Sequence, residues 1–466
     1  MLMKKSKWLA LAGVSLLSVG VLVACSSKSN TSSNTFNYVY NADPETLDYL
    51  ISNKGSTIDA VTNGVDGLLE NDKYGNLVPA IAKDWTVSAD GLTYTYKLRK
   101  GVKWYTSDGE EYAEVTAKDF VTGLKHAADK KTESIYLAKD SVVGLADYFN
   151  GTDKDFSKVG VKALDDYTLQ YTLKQPEPYW NSKMTYSLFW PVNEEFLKSK
   201  GDSFGKSTDP SSILYNGPYI LKSLTAKSSI ELAKNENYWD KKNVHYDGVK
   251  LSFFDGSDQE AQVRNFTDGA YSQARIYPTG SNFASVKKQY KDNIFYTQPS
   301  ADIVGVGVNI DRQSYNHTSK KTDAEKDSTK KALLNKDFRQ SINFSINRES
   351  YSAQINGEEG GVLAVRNLLV KPDFVYAGDK SFGDLVTEKM ASYGDEWSGV
   401  NLKDSQDGLF NADKAKTEFN KAKEALQAQG VQFPIHLDMP VDQTAKTKVA
   451  RAQSLKQSVE ETLGKE

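Results

Sequence analysis

Thr93-Tyr94-Thr95-Tyr96-Lys97-Leu98, the centre of the stretch Ser88-Ala89-Asp90-Gly91-Leu92-Thr93-Tyr94-Thr95-Tyr96-Lys97-Leu98-Arg99-Lys100-Gly101-Val102-Lys103-Trp104, alternates small polar residues with large apolar ones. A period of two places Tyr94, Tyr96 and Leu98 on one face, which predicts a half-buried strand. Tyr167, Leu169, Tyr171 and Leu173 repeat the pattern, with Thr168, Gln170 and Thr172 on the other face, and Val249, Leu251 and Phe253 make a third run. Between and beyond these runs the period changes. Thr116–Ala128 reads as a helix with Thr116 as N-cap and Asp119 three residues on. After Asn411, the apolar residues Ala415, Phe419, Ala422 and Leu426 keep helical spacing and Gly430 is the stop. Val431–Leu437 alternates again, Pro434 suiting an edge or a strand start. A last helix is expected over Thr444–Leu463, and the polar run Asp311–Ser328 reads as a surface loop. Strands interleaved with helices, without strict βαβ spacing, predict a mixed α/β protein.

At 466 residues the chain exceeds what one core serves, so two or more lobes are expected. Hydrophobic residues make up 39% and charged residues 26%, an ordinary globular balance. Tyrosine is abundant, 26 against 5 Met, and its amphipathic ring suits strands and half-wet interfaces alike. Formal net charge is -3; without Lys4, Lys5 and Lys7 it becomes 55 minus 61, or -6. That balance argues against a nucleic-acid partner, which would call for a basic patch. With one cysteine in the whole chain, no internal disulfide can form.

The N-terminus carries three lysines in residues 1–7, then an uncharged run from Trp8 to Ala24. Basic n-region, apolar h-region and small residues before a cut form the pattern of an export signal. A membrane-spanning helix is the rival, but the run is short and diluted by Ser15, Ser18 and two glycines. Leu22-Val23-Ala24-Cys25 resembles the lipobox of bacterial lipoproteins, which implies lipidation of Cys25 and removal of residues 1–24. Two acyl chains hold a protein firmly where one holds it only marginally. Residues 25–35, rich in Ser and Asn, are expected to be a flexible tether.

Asn41-Ala42-Asp43-Pro44-Glu45-Thr46-Leu47-Asp48, Asp66-Gly67-Leu68-Leu69, Gly75-Asn76-Leu77-Val78-Pro79-Ala80-Ile81-Ala82-Lys83-Asp84-Trp85 and the stretch Ser88–Trp104 occur in that order. Val115-Thr116-Ala117-Lys118-Asp119-Phe120-Val121, Asn216-Gly217-Pro218-Tyr219, Lys234-Asn235-Glu236-Asn237-Tyr238-Trp239-Asp240 and Asp337–Arg348 follow. Together they resemble the landmarks of the extracytoplasmic peptide-binding proteins of ABC importers, solute-binding protein family 5. The lipobox and the Lys/Asn/Ser-rich style resemble the Ali/Ami-type oligopeptide-binding lipoproteins of Gram-positive bacteria.

The resemblance implies a two-lobed periplasmic-binding-protein-like α/β fold (type II, with an extra subdomain). Lobe I would be discontinuous, 36–70 and 190–295, with a subdomain at 71–189; lobe II would be 296–466. It further implies a monomer, anchored outside the cell membrane, that closes on an extended oligopeptide between its lobes and delivers it to permease subunits. Strand-like pairing along the peptide backbone would tolerate many sequences. Asp66, Gly67 and Leu68 should border the ligand, with Gly67 allowing close approach; a plain strand-to-turn segment is the competing reading. Tyr136 stands where the family places a ligand-facing tyrosine. Val304–Asn309 should be the strand entering lobe II, with Gly305 and Gly307 widening the pocket or marking a crossing strand. The family's later acidic motif, which holds the peptide amine, has no match here, and the sequence stops where a returning segment would begin. Lobe II is therefore expected to be incomplete, and residues 26–466 alone to bind peptides weakly.

Gly201-Asp202-Ser203-Phe204-Gly205 fits the G-x-S-x-G pattern of serine hydrolases, but a nucleophile elbow needs a strand before it, and Glu194–Lys200 reads as helix. A phosphate loop at Gly201–Ser207 fails on the glycine spacing. His126, His245, His317 and His436 lie far apart in sequence, outside metal-ligand spacing, so neither a metal nor a cofactor is expected. Nickel-, haem- and oligosaccharide-binding relatives of the same fold remain alternatives on the sequence.

Overall fold

Tyr94 and Tyr96 do point into a core, and the strand that carries them runs from Thr93 to Leu98. The computed structural model describes residues 34–295, 303–443 and 445–465; the signal segment, Cys25 and most of the tether lie outside them. Two compact units are present, 34–258 with 265–274, and 259–264 with 275–465.

Unit 1 is built on two four-stranded sheets. In the first, the order is Thr35–Tyr40, Gly248–Phe253, Ser229–Lys234, Tyr219–Thr225, the first pair parallel and the others antiparallel. A strand pair can be parallel only if the chain travels far between its members; here it makes the whole second sheet on the way. That second sheet is antiparallel throughout, ordered Ala82–Val87, Thr93–Leu98, Thr168–Thr172, Val161–Asp165. Its buried face presents Tyr96 and Tyr171 edge to face at 6.2 Å, and Tyr171 meets Trp180 and Trp180 meets Phe189 at 5.5 Å each. Several tyrosines are therefore core residues rather than surface rings. Tyr49, Tyr96 and Tyr215 keep their hydroxyls bonded, to Pro191 O, Asn181 Oδ1 and Pro210 O, as burial of a phenol requires.

The helix Ala117–Asp129 closes over this sheet. The Asp119 carboxylate accepts the Thr116 N–H at 2.9 Å and the Trp104 indole N–H at 3.0 Å. One side chain thus caps a helix and fixes a buried tryptophan.

Unit 2 is mainly helical among its described residues. Its helices are Asp323–Leu334, Lys336–Ser345, Arg348–Gly361, Phe382–Met390, Ala412–Ala428 and Lys446–Leu463, beside short segments such as Phe283–Tyr290. Its core, Ala332, Phe338, Phe419, Ala422, Leu426 and Val431, is far smaller than that of unit 1. Asn411 caps the helix that follows it, its Oδ1 accepting from Lys414 N.

Three sequence expectations fail here. Residues 303–309 form no strand, and Val304, Val306 and Val308 are exposed. Val431–Leu437 has no ladder partner among the described residues; Val431 is buried and Phe433 and Ile435 are half-buried against the helices, so the alternation marks a packed extended segment. Asp311–Ser328 is not a free loop. Its end is helical from Asp323, and Asp438 accepts hydrogen bonds from Arg312, Thr318 and Lys320, whose side chain is 0% exposed.

Candidate ligand-binding surface of unit 1

Three of the landmark phrases, distant in sequence, tie into one knot. The Asp66 N–H donates to Asn216 Oδ1 at 2.7 Å. Asp66 Oδ2 accepts from the Tyr238 hydroxyl at 2.8 Å and from the Trp239 indole at 3.2 Å. Asn235 Nδ2 donates to Gly217 O, and Asn235 N to Pro218 O. Gly217 sits where a Cβ would come within 2.8 Å of the Gly64 backbone, so only glycine lets these loops meet. The Arg99 guanidinium lies 4.3 Å from the Trp239 ring centroid, in cation–π contact.

Asp66 is 9% exposed, and burial pushes its carboxyl up to about 7 against the opposing pull of the two donors. Burial likewise raises the Glu70 carboxyl, helped by Asp240 and opposed by Arg99.

Gly67 and Leu68 are buried too. A Cβ on Gly67 would lie 2.7 Å from Trp190 Cδ1 and 3.2 Å from Met184 O. Its missing side chain makes room for Trp190, which by itself accounts for a glycine at this position.

The segment holding Trp190 also supports Tyr136. Lys183 Nζ donates to Leu137 O at 2.9 Å, to Ser141 Oγ at 3.0 Å and to Glu177 Oε2 at 2.7 Å, anchoring the short helix Tyr136–Lys139. The Lys183–Glu177 pair is largely buried. Three rings remain outside: Tyr136 is 66% exposed, Tyr179 59% and Tyr186 55%. Sequence reasoning singled out Tyr136 and missed the other two, because nothing in Pro178-Tyr179-Trp180 separates the exposed ring from its buried neighbour. The structure therefore brings Asp66–Leu68 and Tyr136 onto one supporting segment.

Gly305 and Gly307 belong to unit 2, where a Cβ on either would meet no atom within 4 Å. Ser203 is exposed at the end of a 3-10 turn, Gly201–Ser203, that follows the helix Glu194–Lys200; the strand a nucleophile elbow requires is replaced by a helix. Its neighbour Phe204 stacks edge-on against His126, whose Nε2 lies 2.7 Å from Asp48 Oδ2 in a buried pair. Among the described residues, no group of three His, Cys, Asp or Glu is placed to hold a metal ion, and no helix is long and apolar enough to cross a membrane.

Comparison with known proteins matches this architecture. The oligopeptide-binding protein AmiA of Streptococcus pneumoniae is 68% identical over 100% of this chain and 71% of its own length. SarA of Streptococcus gordonii is 62% identical over 99% of this chain and 71% of its own length. Among solved structures, the pheromone receptor PrgZ shares the fold at a TM-score of 0.67 and 22% identity, over 92% of this chain and 75% of that one. Listeria monocytogenes OppA shares it at 0.65 and 22%, over 93% and 76%. The fold is thus the two-lobed α/β class of periplasmic binding proteins. Residues 76–464 match the model described as bacterial extracellular solute-binding proteins, family 5 Middle. With that match and relatives above 60% identity along its whole length, the chain belongs to the extracellular solute-binding protein family 5.

Proposed function

We propose that this protein captures oligopeptides outside the cell and passes them to an ABC-type importer, as a monomer held to the membrane by a lipid on Cys25. The observation that carries the reading is the set of exposed rings, Tyr136, Tyr179 and Tyr186, on a rigid buried support in a chain 57–68% identical to several proteins named as oligopeptide-binding. Phenol rings on a fixed frame offer stacking area and a polar rim at little entropic cost. They do not demand one particular ligand side chain. Backbone pairing would supply the affinity, with Asp66, Gly67 and Leu68 shaping the surface from beneath and Gly305 and Gly307 leaving unit 2 open at its own contact positions. The helix ahead of Ser203 supports a binding role over a hydrolytic one.

The test is a calorimetric titration of the protein with peptides of equal length. Scrambled sequences should bind within about tenfold of one another, a spread of about 1.4 kcal/mol. N-methylation of alternate peptide nitrogens should remove binding, because each methyl deletes a ladder donor. Dependence on one side chain with indifference to N-methylation, or binding of nickel, haem or a sugar in place of peptide, would sink the reading.

A further inference from the structure

We propose that Asp66 is a protonation switch, read out by Tyr238 and Trp239, that tightens or loosens the knot of loops it joins. The inference stands on the geometry of unit 1 and holds whatever ligand the surface takes.

A buried carboxylate normally keeps a cation beside it. Among the described residues, Asp66 has none bonded to it; its side-chain partners are a phenol and an indole, both neutral. The charged groups around it carry the wrong sign. Glu70 comes from the strand Leu69–Asn71, and Asp240 from the same turn as its two donors. Arg99, the cation on this side, is turned to the Trp239 ring and gives its Nε–H to Ala80 O at 2.8 Å. Asn216, on the remaining loop, is neutral and bonds the Asp66 backbone.

Two states are therefore close in free energy. Ionised, the carboxylate accepts two charge-assisted hydrogen bonds but stays desolvated among like charges. Protonated, it escapes the desolvation cost, but its oxygens are poorer acceptors and its new O–H needs a partner of its own. The turn 235–240 is then held less firmly. Burial lifts the carboxyl to about 7, which places the exchange between the states near neutral pH.

The test follows the Trp239 indole N–H by NMR in the full chain, assigned through Trp239→Phe. We expect its resonance to titrate with a midpoint near 7 and its protection from solvent exchange to rise about tenfold on the alkaline side, as one strengthened hydrogen bond produces. In Asp66→Asn both should be flat. A flat indole signal in the wild type between pH 5 and 9, or the same titration in Asp66→Asn, overturns the proposal. Should Asp66→Asn fail to fold, the pair Glu70→Gln with Asp240→Asn leaves the carboxyl in place and removes its like-charged neighbours. The midpoint must then fall, and an unmoved midpoint overturns the switch.

Discussion

Single residues in this protein carry roles that chemistry explains once their partners are known. Gly67 is the clearest. Its α-carbon faces Trp190 with no space for a methyl group, so Gly67→Ala should overpack the site and cost about 1–3 kcal/mol. A lowered urea midpoint with an unchanged slope is the expected result. Asp66, by contrast, was legible as a landmark but not in its bonding, because Tyr238 and Trp239 lie 172 and 173 residues away in sequence. A tyrosine beside a tryptophan offers two neighbouring donors, which is a signal for a carboxylate, but not for which one. Cys25 lies outside the described residues, and its role rests on the residues before it. If it carries the lipid, Cys25→Ala should abolish labelling by radioactive palmitate and leave uncut precursor or released protein.

At the level of elements, local pattern succeeded wherever both faces of a segment found their proper surroundings. Thr93–Leu98 is a strand because Ala82–Val87 and Thr168–Thr172 flank it. Ala412–Ala428 is a helix because its cap, its stripe and its stop agree. Val431–Leu437 alternates as convincingly, and the resemblance points to a strand at Val304–Asn309, but alternation states only which side chains seek cover. A strand is made by a neighbour's backbone, and no sequence window contains that neighbour. The helix Ala117–Asp129 offers a direct test of local control. Asp119→Ala would free the Thr116 N–H and the Trp104 indole together, a loss of about 1–3 kcal/mol. Thermal unfolding should fall by several degrees, while Asp119→Asn, which keeps an acceptor, should lose less.

Across the whole molecule, the buried carboxyls decide how stability follows pH. Burial raises Asp66 to about 7 and Asp119 to about 6. A carboxyl raised on folding binds its proton more tightly in the native state, so its contribution is full below pH 4 and is lost as pH climbs through 6 and 7. Glu194 is the opposite case: hydrogen bonds from Lys118 and Lys198 hold it near 2, so what it contributes is lost as pH falls from about 4.5. Its side chain is 32% exposed and its two lysine partners are more exposed still, which keeps that contribution small. Stability should therefore be greatest between about pH 4 and 5 and decline toward 7. Urea unfolding at half-unit pH steps would show it, and a maximum above pH 8 would contradict it. The long journey between the two parallel strands of unit 1 bears on a different matter, the order of events at the ribosome. Thr35–Tyr40 emerges early but its partner, Gly248–Phe253, follows roughly 200 residues later, a wait of about 10–40 s at typical elongation speeds. Through that interval the first strand has no mate, and the sheet it belongs to cannot close. The nascent front end stays unlocked, which is the condition a chain needs if it is to be threaded through a membrane before it folds.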